Sequence, residues 1–151
     1  MKRARSAAIA FGILVLALWG IALPAGAQGQ TLKEIMGENF AGLQSILVSL
    51  IRANYATVPQ QIAVIEEHAN RLTHNVPASA AGDRDRFLSY AYSLRTNAQD
   101  LDSIVRTLIE HDRGKEMLSY DDLREAAAAH YGGMVTMCVA CHNRFRPTVI
   151  H

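Results

Sequence analysis

Apolar side chains along this chain recur at steps of three and four residues, which is the spacing of one face of an α-helix. Four stretches keep this spacing, and no run of alternating apolar and polar residues predicts a strand. Four amphipathic helices with short connections predict an all-α fold, an antiparallel four-helix bundle of up-down-up-down topology. The predicted helices run over about residues 31–53, 59–75, 83–111 and 119–147.

The first predicted helix has the widest apolar stripe. Two glycines, Gly37 and Gly42, interrupt it. Each glycine weakens a helix by about 1 kcal/mol relative to alanine, and each leaves room for another group to approach the backbone closely. The residues of this stripe are Ile35, Met36, Leu43, Ile46, Leu47, Leu50 and Ile51.

Residues that favour helix ends stand between the apolar stretches. Pro59 suits the first turn of a helix, and Gly114 suits the position just after a helix ends. Ser119 followed by Asp122 resembles a capping box. Residues 77–82, rich in alanine and bounded by proline and glycine, predict a loop.

The first 27 residues have the pattern of a secretory signal peptide. A basic start precedes an apolar run over residues 7–23, and Pro24 and Ala25-Gly26-Ala27 then supply a break and a cleavage site. The apolar run approaches the roughly 20 residues of a spanning helix, so an uncleaved membrane anchor is the alternative. Pro24 and the small residues favour cleavage, which leaves residues 28–151 as one domain without stable membrane insertion. We therefore expect export to an oxidising space, the periplasm.

Composition narrows the possible functions. The chain has 151 residues, a formal net charge of +1 and only two cysteines. The near-neutral charge predicts no nucleic-acid partner. Two cysteines permit one disulfide, one redox pair or one covalent attachment site. No serine–histidine–acid or paired-carboxylate pattern is visible, so we expect no enzymatic turnover.

Both cysteines lie in the motif Cys-Val-Ala-Cys-His, from Cys138 to His142, near the end of the last predicted helix. On a helix Cys138, Cys141 and His142 project from one face. This order is typical of c-type haem attachment, in which two thiols bond the haem edge and the histidine reaches the iron. A thioredoxin-like redox pair usually opens a helix after a strand, and a zinc site usually needs four ligands. The motif therefore favours one covalent haem c over those alternatives.

A secreted four-helix bundle with this motif at its C-terminal end, followed by Asn-Arg-Phe-Arg, resembles the class II cytochromes c, the family of cytochrome c prime. The resemblance implies Cys138 and Cys141 as thioether anchors and His142 as the proximal iron ligand. It also implies that the first helix covers the distal face of the haem. Family members often form dimers through their first two helices, so a homodimer is a further expectation.

The distal residue separates two branches of that family, electron carriers with a methionine on the iron and gas-binding proteins with an open site. Met36, in the string Ile-Met-Gly-Glu-Asn, resembles the methionine ligand of the low-spin branch, whereas plain core packing by a methionine is the alternative. Under the open-site register Lys33 would occupy the distal position, which suits an apolar pocket poorly. The resemblance thus favours an electron carrier that serves unidentified redox proteins, and the alternative is a protein that binds nitric oxide or carbon monoxide.

Three further residues are candidates for contact with the haem. Lys33 and Arg146 are candidates for the propionates, and Phe145 is a candidate for packing against the haem. We expect the remaining histidines to be surface or capping residues. They are His68, His74, His111, His130 and His151. The least clear case is His130, which lies on the apolar stripe of the fourth predicted helix.

Overall fold

The computed structural model describes residues 31–114 and 119–145, and every regular element in these ranges is helical. The predicted all-α fold is therefore confirmed for the described residues. Residues 1–30, with the predicted signal peptide, lie outside them. The four helices are α1 (Leu32–Ile51), α2 (Val58–His74), α3 (Arg84–Asp112) and α4 (Tyr120–Phe145). Two 3₁₀ helices, Tyr55–Thr57 and Ala78–Asp83, precede α2 and α3.

Sequence signals at the helix ends act as predicted in three places. Pro59 lies in the first turn of α2. Gly114 follows α3 with a φ of 71°, and its amide donates to the carbonyl of His111 at 2.8 Å. Ser119 Oγ accepts a hydrogen bond from the amide of Asp122 at 3.4 Å, as in a capping box. The predicted loop before α3 instead forms a 3₁₀ helix, because Ala80 is buried and draws the segment onto the core.

The C-terminal end of α1 is a Schellman motif with an unusual residue at its centre. The amide of Asn54 donates to the carbonyl of Ser49 at 2.9 Å, and that of Ala53 donates to Leu50 at 3.2 Å. Ala53 adopts a φ of 53°, in the left-handed region that favours glycine. Its methyl group therefore strains the turn that redirects the chain into α2.

The core is formed where α3 packs against α2 and α4. The α2–α3 and α3–α4 contacts are both extensive. α1 packs chiefly against α2 and only lightly against α4. The seam between α1 and α4 is therefore the least filled part of the fold. Fully buried side chains from all four helices fill the centre: Ile46, Ile62, Ile65, Leu101, Val105, Leu108 and Met134.

The predicted apolar stripe of α1 is only partly buried, because α4 packs lightly against this helix. Leu47 and Ile51 were expected inside, but they are 40% and 71% exposed. Phe40, on the same helix, is 63% exposed. These three side chains line cavities between α1 and α4, so they form an exposed apolar row along the open seam between the two helices.

Close helix approach occurs at Gly133 rather than at the glycines of α1. A Cβ on Gly37 would meet nothing within 4 Å, and one on Gly42 would make ordinary contact with Ile65. A Cβ on Gly133 would overlap the side-chain amide of Asn97 on α3. The glycine that brings two helices together is therefore the one that precedes the cysteine motif on α4.

Among the described residues, no helix combines the length and apolar character needed to cross a membrane.

Candidate functional site

The last turns of α4 present the cysteine motif on one face, as predicted from its spacing. Cys138 and Cys141 are free, half-buried thiols, whereas His142 is exposed. Cys138 packs against the main core, and Cys141 joins a second cluster that includes Phe87, Leu72 and Met36. The two thiols are therefore held by packing while the imidazole remains accessible.

Met36 of α1 and His142 of α4 face each other across the seam. The Nε2 atom of His142 lies 3.5 Å from the Sδ atom of Met36, although 106 positions separate the two residues. Met36 is half-buried and belongs to the same cluster as Cys141. The two side chains predicted as iron ligands are thus brought into contact with each other.

Two cavities flank this contact, and both are lined by Met36, Asn39, Cys138 and His142. The smaller has a volume of about 30 Å³ and extends toward Cys141 and the apolar side chains of α2 and α3. The larger has a volume of about 380 Å³, in the range of about 300–1,000 Å³ typical of ligand pockets. The Met36–His142 contact thus stands between two spaces, one on each side. The residues of α2 and α3 that line the smaller cavity are Leu72, Phe87, Tyr90, Ala91 and Leu94.

Both thiols are held in their protonated form by their surroundings. Burial raises the pKa of Cys138, and burial together with the neighbouring Cys138 raises the pKa of Cys141 to about 11. The motif also lies at the C-terminal end of α4, where the helix dipole disfavours a thiolate. A thiol–disulfide oxidoreductase uses a lowered thiol pKa at a helix N-terminus. This environment is the opposite of the one that a thioredoxin-like pair requires.

A buried polar pair stands behind Met36. Asn39 and His68 are each 3% exposed, and His68 Nδ1 lies 2.7 Å from Asn39 Oδ1. Because an amide oxygen only accepts, the imidazole donates its Nδ1 proton in this bond. The other ring nitrogen of His68 lies 3.3 Å from a carboxylate oxygen of Glu38, which forms an ion pair when the ring is protonated.

The buried position of His68 corrects the sequence prediction, which placed it at the surface. The signal that identifies the pair is Asn39, a polar residue on the buried stripe of α1, three positions after Met36 and four before Leu43. Such a residue needs a partner inside the protein. The other described histidines fit the prediction better: His74 is exposed beside the carbonyl of Asn70, and His130 is half-buried, 3.6 Å from Asp100.

The remaining candidate residues differ in how close they lie to the cysteine motif and its cavities. Phe145 packs edge-on against Phe87, with ring centroids 5.5 Å apart, in the cluster that contains Met36 and Cys141. Lys33 is exposed and is not among the residues that line either cavity. Arg146 lies outside the described residues. The haem contacts of all three stay predictions.

The other methionines near the motif have different surroundings from Met36. Met134 is fully buried in the core, and Met137 lines the smaller cavity from α4 itself. Within residues 31–114 and 119–145, no group of three or more histidine, cysteine or acidic side chains is arranged to hold a metal ion. A zinc site built from the cysteine motif therefore gains no support.

Comparison of this chain with protein-family models, with curated proteins and with solved structures yields no match in any of the three.

Proposed function

We propose that this protein is a monohaem c-type cytochrome, similar to the low-spin branch of class II, that carries single electrons and turns over no substrate. Cys138 and Cys141 serve as thioether anchors, His142 as the proximal iron ligand and Met36 as the distal one. The observation that carries the proposal is the 3.5 Å contact between His142 Nε2 and Met36 Sδ, beside a cavity that both cysteines line.

The donor groups present, two thiols, an imidazole and a thioether, suit such a group. An iron held by both Met36 and His142 would require these two side chains to move apart from their 3.5 Å contact. The light contact between α1 and α4 permits such a shift, and the unbranched side chain of methionine adapts readily. The larger cavity supplies about 380 Å³ on one side of the contact, whereas the smaller one, of about 30 Å³, would have to widen to admit the group on the other side.

A bound haem c would supply one-electron iron chemistry, with a reduction potential raised by methionine–histidine ligation relative to two histidines. The chain sets the surroundings of that group. Leu72, Phe87 and Leu94 form an apolar wall that excludes water from one side. His142, together with the exposed side chains of Phe40 and Val139, leaves an accessible apolar edge on the other. That edge is suited to docking a redox partner protein.

The proposal extends to topology, location and assembly. We infer an antiparallel up-down-up-down bundle over residues 28–151, exported to the periplasm by a signal peptide at residues 1–27. Short connections between helices support the topology. The exposed apolar row of Phe40, Leu47 and Ile51 supports a homodimer that uses α1.

The test is an optical spectrum of the chain after expression with cytochrome c maturation machinery, oxidised and reduced, with and without carbon monoxide. We expect covalent haem, a low-spin spectrum with a weak near-infrared sulfur-to-iron band, and no response to carbon monoxide. Met36→Leu should abolish that band. Met137→Leu, a matched change in the same cavity on the helix that carries His142, should leave it intact.

Two other results would change the conclusion. A high-spin spectrum that shifts readily with carbon monoxide would indicate the open distal site of a gas-binding protein. Absence of haem, with both cysteines open to alkylation after denaturation, would refute attachment altogether. Cys138→Ala and Cys141→Ala, made together, provide the attachment-deficient control for that experiment.

A further inference from the structure

The direction in which Met36 points depends on how α1 is rotated about its own axis. Apolar contacts resist separation of helices but have no direction, whereas a hydrogen bond fixes both distance and angle. α4 contributes little to holding α1, so the rotation must be set mainly by α2. The question is which contact between α1 and α2 is directional near Met36.

Asn39 and His68 supply that contact. Their 2.7 Å hydrogen bond joins α1 to α2 inside the protein, with both side chains more than nine-tenths buried. Asn39 lies three positions after Met36, on the same face of the helix, so any rotation that moves one moves the other. Breaking the bond by rotation would leave two buried polar groups without partners, which is strongly unfavourable.

We propose that Asn39 and His68 are positioning residues that hold the rotation of α1 and thereby present Met36 to His142. This inference rests on the proposed function for its meaning, but the geometry that it describes belongs to the chain alone. Glu38 adds a second constraint when the ring is protonated, because its carboxylate then accepts a hydrogen bond from Nε2 of His68, 3.3 Å away. The pair acts through Met36 and is not itself an iron ligand.

The decisive variant replaces both partners, Asn39→Leu with His68→Leu. Replacing both members of a buried hydrogen bond by apolar groups of similar shape is nearly neutral for stability, so the variant should fold. It lacks the directional bond. We expect the fraction of the ferrous form with Met36 released to rise about 5–30-fold, so that the variant responds to carbon monoxide at concentrations that leave the parent unchanged.

A second readout does not depend on haem. With Cys138→Ser and Cys141→Ser and no maturation machinery, the labelled methyl group of Met36 should show a nuclear Overhauser effect to the ring of His142. We expect that signal to be lost in the double-leucine variant. The single variant His68→Asn keeps an N–H near the position of Nδ1 and should therefore retain the signal between Met36 and His142. Ser49→Ala removes another buried polar group of α1, far from the site, and should leave it unchanged.

Each outcome has a clear meaning. A double-leucine variant that folds, keeps the Met36–His142 signal and resists carbon monoxide as the parent does would overturn the proposal. If the double-leucine variant does not fold, Asn39→Ala with His68→Leu, a smaller replacement that likewise leaves no buried polar group unpaired, is measured in the same two ways and decides the question. A parent that takes up no haem but shows the signal, which the double-leucine variant then loses, would refute the proposed function and leave the positioning role standing.

Discussion

Gly133 of α4 lies against Asn97 of α3, and we expect its replacement by alanine to weaken the contact between these helices. The new Cβ would overlap the side-chain amide of Asn97. That amide donates to the carbonyl of Ser93 at 2.8 Å, within its own helix. The amide must therefore give up this bond and turn away, or α3 and α4 must separate.

The cost can be set against the gain in helix propensity. Loss of the Asn97 hydrogen bond costs about 0.5–1.5 kcal/mol, and a strained side-chain torsion costs a similar amount. Replacing glycine by alanine within a helix stabilises the helix by about 1 kcal/mol through propensity. Gly132, the preceding residue, would place its Cβ in open space and gains the propensity alone. Gly133→Ala should therefore be less stable than Gly132→Ala by about 1–3 kcal/mol.

Urea unfolding at 25 °C, followed by far-UV circular dichroism, measures the free energy of unfolding of both variants. Because propensity cancels between the two, the difference isolates the overlap with Asn97. Asn97→Ala should remove most of that difference, since it removes the group that Gly133→Ala displaces. Equal free energies of unfolding for Gly132→Ala and Gly133→Ala would refute the close approach of α3 and α4 described above.

Three further predictions concern other parts of the fold. Ala53→Gly should raise the free energy of unfolding by about 0.5–1 kcal/mol, because it relieves a left-handed alanine; a lower value in urea unfolding would contradict the strained turn. Burial, and then the hydrogen bond that pairs its hydroxyl with that of Tyr120, raise the pKa of Tyr55 to about 12. This pKa lies above the unfolded value of about 10, so stability from the neutral phenol is complete below pH 10 and is lost as the pH approaches 12. Tyr55→Phe should then lose less stability over that interval in alkaline unfolding, and an identical loss in both proteins would count against it. Ile51→Glu should lower the dimer fraction in sedimentation equilibrium, whereas its exposed neighbour changed as Arg52→Glu should not; a monomeric parent would make this prediction wrong.

Periodicity of apolar residues was sufficient to predict the four helices, because each buries one stripe and the spacing of that stripe is local information. It failed at Leu47 and Ile51, since exposure there depends on how lightly α4 covers α1. That property belongs to the packing of two segments far apart in sequence. The same reason explains why Gly133, and not Gly37 or Gly42, marks a close approach.

The candidate site, like the fold, was predicted only in part from the sequence. The cysteine motif occupies five consecutive residues and is visible in the sequence, whereas Met36 was predicted as a ligand from a resemblance rather than from its neighbours. Asn39 and His68 were missed, because a polar side chain is ordinarily a surface residue and its buried partner lies 29 positions away. Only the fold shows that these two polar side chains satisfy each other.

The thin contact between α1 and α4 has a consequence for how such a protein is assembled. Local opening draws on the least packed parts of a structure, at a fraction of the cost of global unfolding. The seam between α1 and α4 can therefore open while α1 stays packed on α2 and the other three helices keep their common core. If the proposed haem is bonded to the last helix, it could then be installed in a chain that is already largely folded, with closure of this seam as the final step.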